Sequence, residues 1–292
     1  MVLEDLIPVQ LAEEKPLDVV PIAFIYSTLA IFLSLWIFPA NAAIVAVFLT
    51  TIACLPLMLN IISFEKHKSD LSKNYLRDIL FAFFIRNGQR SERVLSFFMF
   101  LFLGLALAVT FWFVVLPSEI IPNVFYLQLN TIKQINLSLS GGAIIRVYFT
   151  RILINNLKVL TFSVLFSLIY GAGAVFIIAW NASVIGVAMG SSIRRAVTEI
   201  VPTGFATVAG YSSAISVGLM RYLLHGVPEI LAYFVGALAG SLISIAIVKR
   251  EYDSEQFTRT LLHSGGLIGF AVVLLLIAAV IEVTISPLIS IS

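Results

Sequence analysis

The chain has 292 residues, of which 60% are hydrophobic and only 12% charged. Soluble domains carry roughly 25% charged residues, so a water-solvated globule is excluded and lipid must solvate much of this surface. The formal net charge of +2 gives no support to a nucleic-acid partner, and the single cysteine, Cys54, cannot form an intrachain disulfide.

The first twenty residues set Glu4, Asp5, Glu13, Glu14 and Asp18 against Lys15. A cleavable leader needs a basic start, so none is expected. A membrane span needs roughly 20 mainly apolar residues. Pro21–Pro39, Ala42–Phe64, Val94–Leu116, Val159–Trp180, Ile230–Val248 and Leu267–Thr284 qualify. None alternates polar and apolar residues as a barrel strand would, so an all-α membrane protein is expected. Ile200–Met220 is uncharged but rich in Gly, Ser, Thr and Ala. It reads as an inward-packed span, with a re-entrant segment as the alternative. About seven spans result, with amphipathic surface helices beside them.

Orientation follows the basic residues. Lys66, Lys68, Lys73, Arg77, Arg86, Arg90 and Arg93 put the segment Glu65–Arg93 in the cytoplasm, with the N-terminus inside and the C-terminus outside. On this count Arg194 and Arg195 also fall inside, as do Lys249, Arg250 and Arg259. Pro117–Lys158 falls outside, although it holds Lys133, Arg146, Arg151 and Lys158. Trp36 and Trp112 are expected at the outer interface and Trp180 at the inner one. Tyr75–Arg86 reads as a basic amphipathic helix on the inner surface. Ala143–Lys158 reads as an outer-surface helix with Arg151, Asn155 and Lys158 on one face. The organisation expected is a two-span extension over 1–93 and a membrane core over 94–292.

Ionisable residues within spans are conspicuous, and their default reading is functional. Glu229 and Glu282 stand out, and the topology brings both toward the outer ends of their spans with Asn155, Asn156, Arg221 and His225. A structural role stands beside this one. Pro228 suits a first helical position, which makes Glu229 a first-turn carboxylate favoured by the helix dipole. Glu282 can equally be interfacial. His225 and Glu229 are four apart, but with a helix starting at Pro228 they do not share a face, and no second histidine lies nearby for a metal. The thirteen residues Asn181–Ile193 hold Gly186 and Gly190 but lack the lysine of a phosphate loop. Gly236 and Gly240 form a close-packing pair within a span. Asn136 begins a glycosylation sequon. No nucleophilic triad, metal set or cofactor motif is present, so no catalytic residue, metal or cofactor is assigned.

The segments INNLKV (Ile154–Val159), Asn181 with Gly186, LLHGVPEILAYFVGALAGSLI (Leu223–Ile243) and AAVIEVTISP (Ala278–Pro287) resemble the stage II sporulation protein M family over roughly Val94 to Pro287. The resemblance implies an integral membrane anchor that scaffolds cell-wall hydrolases in sporulating bacteria, with homologues in other bacteria and archaea. It carries Asn155, Asn156, Asn181, His225, Gly226, Glu229 and Glu282 as family positions without a catalytic role. The expected function is therefore a non-enzymatic scaffold in the cell membrane. Its expected partners are the lipid bilayer, membrane or extracytoplasmic proteins, and further copies of itself. A transporter or channel component using Glu229 and Glu282 for a cation or proton is the alternative.

Overall fold

The computed structural model describes residues 16–69, 91–139, 145–170, 174–200, 208–248 and 254–284. Eight long helices organise them: α1 (Val19–Ile37), α2 (Ala42–Ser69), α3 (Ser91–Val115), α4 (Ile121–Leu139), α5 (Ile145–Tyr170), α6 (Ala174–Ile200), α7 (Val208–Val248) and α8 (Glu255–Thr284). No strand occurs among the described residues. All but α4 contain a stretch long and apolar enough to cross a membrane, seven in all. Their outward faces are apolar: Trp36 is 81% exposed, and Ile25 and Leu29 on α1 and Leu262 and Ile277 on α8 are exposed beside it. In water such faces would aggregate; in lipid they are satisfied.

Close contacts fix the directions of the helices. Gly104 on α3 faces the backbone of Val20, and Trp112 Nε1 donates to Thr28 Oγ1 at 2.9 Å. Residues rise together along both chains, so α1 and α3 are parallel. Gly186 meets Ala106 and Val109, and Gly190 meets Phe113, which makes α6 parallel to α3. Gly236 abuts Leu160 and Gly240 abuts Val164 and Ser167, which makes α7 parallel to α5. Helices α1, α3 and α6 therefore run in one direction, and α5 and α7 share a direction with each other. Small residues permit these approaches, since lipid offers little hydrophobic drive and close packing must supply the attraction.

Seven spans are present, but two boundaries differ from the expectation. The apolar run Val159–Trp180 divides between α5 and α6, whose crossing stretches are Val147–Ile169 and Val175–Arg195. Between Tyr170 and Ala174 the sequence reads Gly-Ala-Gly, which carries no charge to mark a reversal. Ile200–Met220 is not a separate crossing in the described part. Residues 201–207 lie outside the described residues, and from Val208 onward the segment is the first half of α7, continuous with Ile230–Val248. The thirteen residues Asn181–Ile193 are helical rather than a loop, and Ala143–Lys158 has no separate surface helix in its described part, which opens α5.

These boundaries move Arg194 and Arg195. The Arg194 guanidinium reaches Ser118 Oγ at 3.4 Å, beside the end of α3. Arg194 and Ser118 thus share one face, whereas the basic-residue count had set them on opposite faces. Trp112 lies three residues before the end of α3 and gives its N–H to Thr28 of α1. Tyr75–Arg86 lies outside the described residues, as does the side chain of Asn136.

Helix α4 was not foreseen. It is amphipathic, with Ile121, Val124, Phe125 and Gln128 buried and Pro122, Asn123 and Tyr126 exposed. Phe125 departs from helical geometry at φ −121°, ψ 16°. Ile121, Val124 and Phe125 join Ile31, Ala46, Val109, Phe113 and Val187 in one apolar cluster, which seats α4 against α1, α2, α3 and α6.

Candidate functional site

Asn156 and Glu229 meet where α5 packs along α7. Asn156 is 5% exposed, and its Nδ2 donates to Glu229 Oε1 across the two helices. Glu282, from α8, is close enough to Glu229 for their charges to interact. Tyr233 is buried one turn along α7 from Glu229 and feels both carboxylates. Glu229 and Glu282 are half-buried. Three helices thus converge on one polar cluster, in surroundings where polar groups without partners are costly.

The packing below the cluster explains why it forms. Leu160, Ala232, Tyr233, Val235, Ala239, Leu267, Ala271 and Leu275 make one apolar core between α5, α7 and α8. A methyl group added at Gly240 would run into the Val164 carbonyl, and one at Gly236 into Leu160. The glycines let α7 sit directly on α5, and this register puts Glu229 opposite Asn156.

Among the expected site residues, the structure brings together Asn156, Glu229 and Glu282. Asn155 is exposed, on the outward side of α5 with Arg151 and Lys158. Asn181 turns its Nδ2 onto the Ile177 carbonyl of its own helix at 2.8 Å. The side chains of Arg221 and His225 lie outside the described residues, although both positions fall within α7. Tyr233 was missed; its spacing of four from Glu229 was the available signal.

Pro228 does not begin a helix. It lies inside α7, with twenty residues of the helix before it, so Glu229 is not a first-turn carboxylate and the dipole account of it falls. Proline removes one donor to the preceding turn, which membrane helices tolerate where neighbours compensate. His225 and Glu229 therefore do occupy neighbouring turns of one helix. The crossing stretch of α7 begins at Gly226, three residues before Glu229, and that of α8 ends at Thr284, two residues after Glu282. Both carboxylates thus stand near the ends of their crossing stretches, while Asn156 stands deeper within Val147–Ile169.

A second polar feature lies among α1, α2, α3, α4 and α6. Gln128 Nε2 donates to Ser183 Oγ at 3.1 Å, and Ser183 donates to the Trp180 carbonyl at 2.7 Å. Thr110 Oγ1 contacts both the Ala106 and the Gly186 carbonyl oxygens, at 2.8 and 3.1 Å. These bonds tie α4 to α6 and α3 to α6. Among the described residues, no group of three or more His, Cys, Asp or Glu side chains is placed to hold a metal ion.

The family model described as Stage II sporulation protein M matches residues 96–287. That stretch contains α4 to α8 and nearly all of α3, and so includes every member of the Asn156–Glu229–Glu282 cluster. No curated protein and no solved structure matches the chain.

Proposed function

The chain belongs to the stage II sporulation protein M family, and we propose that it is a non-enzymatic membrane scaffold whose rigid helix bundle positions or regulates partner proteins. The hydrogen bond from Asn156 to Glu229 carries this reading. It spends the carboxylate on joining two packed helices, with Tyr233 and an apolar core against it. A transport site would present its carboxylates to a water-reachable cavity. Partners of a scaffold are membrane or extracytoplasmic proteins, and the exposed flank Arg151, Asn155 and Lys158 offers them a polar strip on α5.

The nearness of Glu282 to Glu229 favours the second reading, a cation or proton carrier. Photo-crosslinking in native membranes from positions 151 and 155 separates the two. A scaffold yields a discrete partner band that survives Glu229→Gln, while an autonomous carrier yields only lipid or self adducts.

A further inference from the structure

A cavity of about 20 Å³ lies where α1, α2, α3, α4 and α6 meet, with Ser27, Thr50, Gln128 and Ser183 in its wall beside apolar neighbours such as Leu105 and Val109. One water molecule needs roughly 10–15 Å³ of such space. The cavity therefore accommodates a single water and little more. Gln128 is 1% exposed and enters from α4 just beyond the distortion at Phe125.

The hydrogen bonds fix which end of the Gln128 amide is which. Ser183 has one hydroxyl proton, and it goes to the Trp180 carbonyl. Ser183 can then only accept from Gln128, so the amide nitrogen faces Ser183 and the oxygen faces away. Gln128 Oε1 is fully buried and meets no donor among the described residues. Thr50 likewise commits its proton to the Ala46 carbonyl at 2.8 Å. Two of the wall's hydroxyl protons are thus committed to carbonyl oxygens, and Gln128 Oε1 still lacks a donor among the described residues. Buried oxygens of this kind are normally satisfied by protein or by ordered water.

We propose that this cavity is a binding site for one ordered water molecule, which donates to Gln128 Oε1 and to a hydroxyl oxygen of the wall. A bare cation would also be drawn to lone pairs. However, no carboxylate lines the cavity, and an uncompensated charge is expensive at such a place. An uncharged donor fits. The bound water completes the tie between the amphipathic helix α4 and the spanning helices α2 and α6. It makes α4 an integral part of the bundle rather than a surface helix.

The test is a crystal structure of the full chain in lipid, at a resolution that shows ordered water. The expected result is one peak at about 2.7–3.2 Å from Gln128 Oε1, within hydrogen-bond range, which disappears in Gln128→Met or, should that variant fail to fold, in Thr50→Val. An empty cavity in the native protein overturns the proposal. So does a peak with the short, many-oxygen coordination of a metal ion, or a Gln128 amide turned to a protein donor.

Discussion

Asn156 on α5 and Glu229 on α7 are joined by a hydrogen bond between helices that run parallel, with α6 returning between them in the chain. Both residues lie at least eleven residues from either end of their helices, so the bond does not act on a fraying helix end. Glu282 approaches the same carboxylate from α8, so one residue of α7 faces both α5 and α8.

Removing the donor tests the strength of this tie. Asn156→Ala leaves Glu229 without its amide partner. Interhelical polar contacts in membranes average about 0.6 kcal/mol and reach about 1.7, so a loss of about 1 kcal/mol is expected in reversible unfolding from bicelles. In a cycle with Glu229→Leu, the coupling between the two positions is expected at about 0.6–1.7 kcal/mol. Additive losses would show that the bond contributes nothing to stability.

The glycines divide into two kinds. Gly104 and Gly240 face the backbone carbonyls of Val20 and Val164, whereas Gly265 and Gly269 on α8 face nothing within 4 Å. Gly240→Ala must push helices apart and is expected to cost about 1–3 kcal/mol. Gly269→Ala removes no packing and is expected to stay within about 0.5 kcal/mol of the native protein. Thermal unfolding of the two variants side by side checks the contrast, and equal effects would contradict the α5–α7 packing.

The helix directions predict labelling patterns. Cys54 is fully buried and can be replaced by alanine as a background. Cysteines introduced at Ser118 and Arg195 are expected to react with impermeant maleimide from one side of the membrane, and one at Ser254 from the other. Labelling of positions 118 and 195 from opposite sides would contradict the parallel run of α3 and α6.

Hydropathy made the all-helical, seven-span character legible, and it did so through two compensating differences. Gly-Ala-Gly at 171–173 joins two apolar runs without a polar break, so two spans look like one. Pro228 and the polar residues before it suggest a boundary inside what is a continuous 41-residue helix, so one helix looks like two. The number survives while the sides of Arg194 and Arg195 reverse. Glu229, Glu282 and Asn156 were visible because charged and amide side chains are rare in apolar runs. Tyr233 and Gln128 were not, because a tyrosine in a span is ordinary and Gln128 sits in a segment whose hydropathy is too low to mark it as packed. Helix α4 is recognisable only through its neighbours: half of its surface is apolar for the sake of α1, α2, α3 and α6, which the sequence does not place beside it.

Whether Glu229 and Glu282 hold helices together or pass charge is decided most directly by flux through reconstituted protein. Native chain, Glu229→Gln, Glu282→Gln and the double variant are each placed in proteoliposomes with imposed proton and sodium gradients. Glutamine keeps the size and one acceptor oxygen of glutamate and removes its ionisable charge. The scaffold account predicts no current above empty liposomes for any of the four. It also predicts a double variant that is less stable than either single one and captures less of its partner in native membranes. A proton or cation current in the native protein that disappears in either single variant, with folding intact, would contradict it.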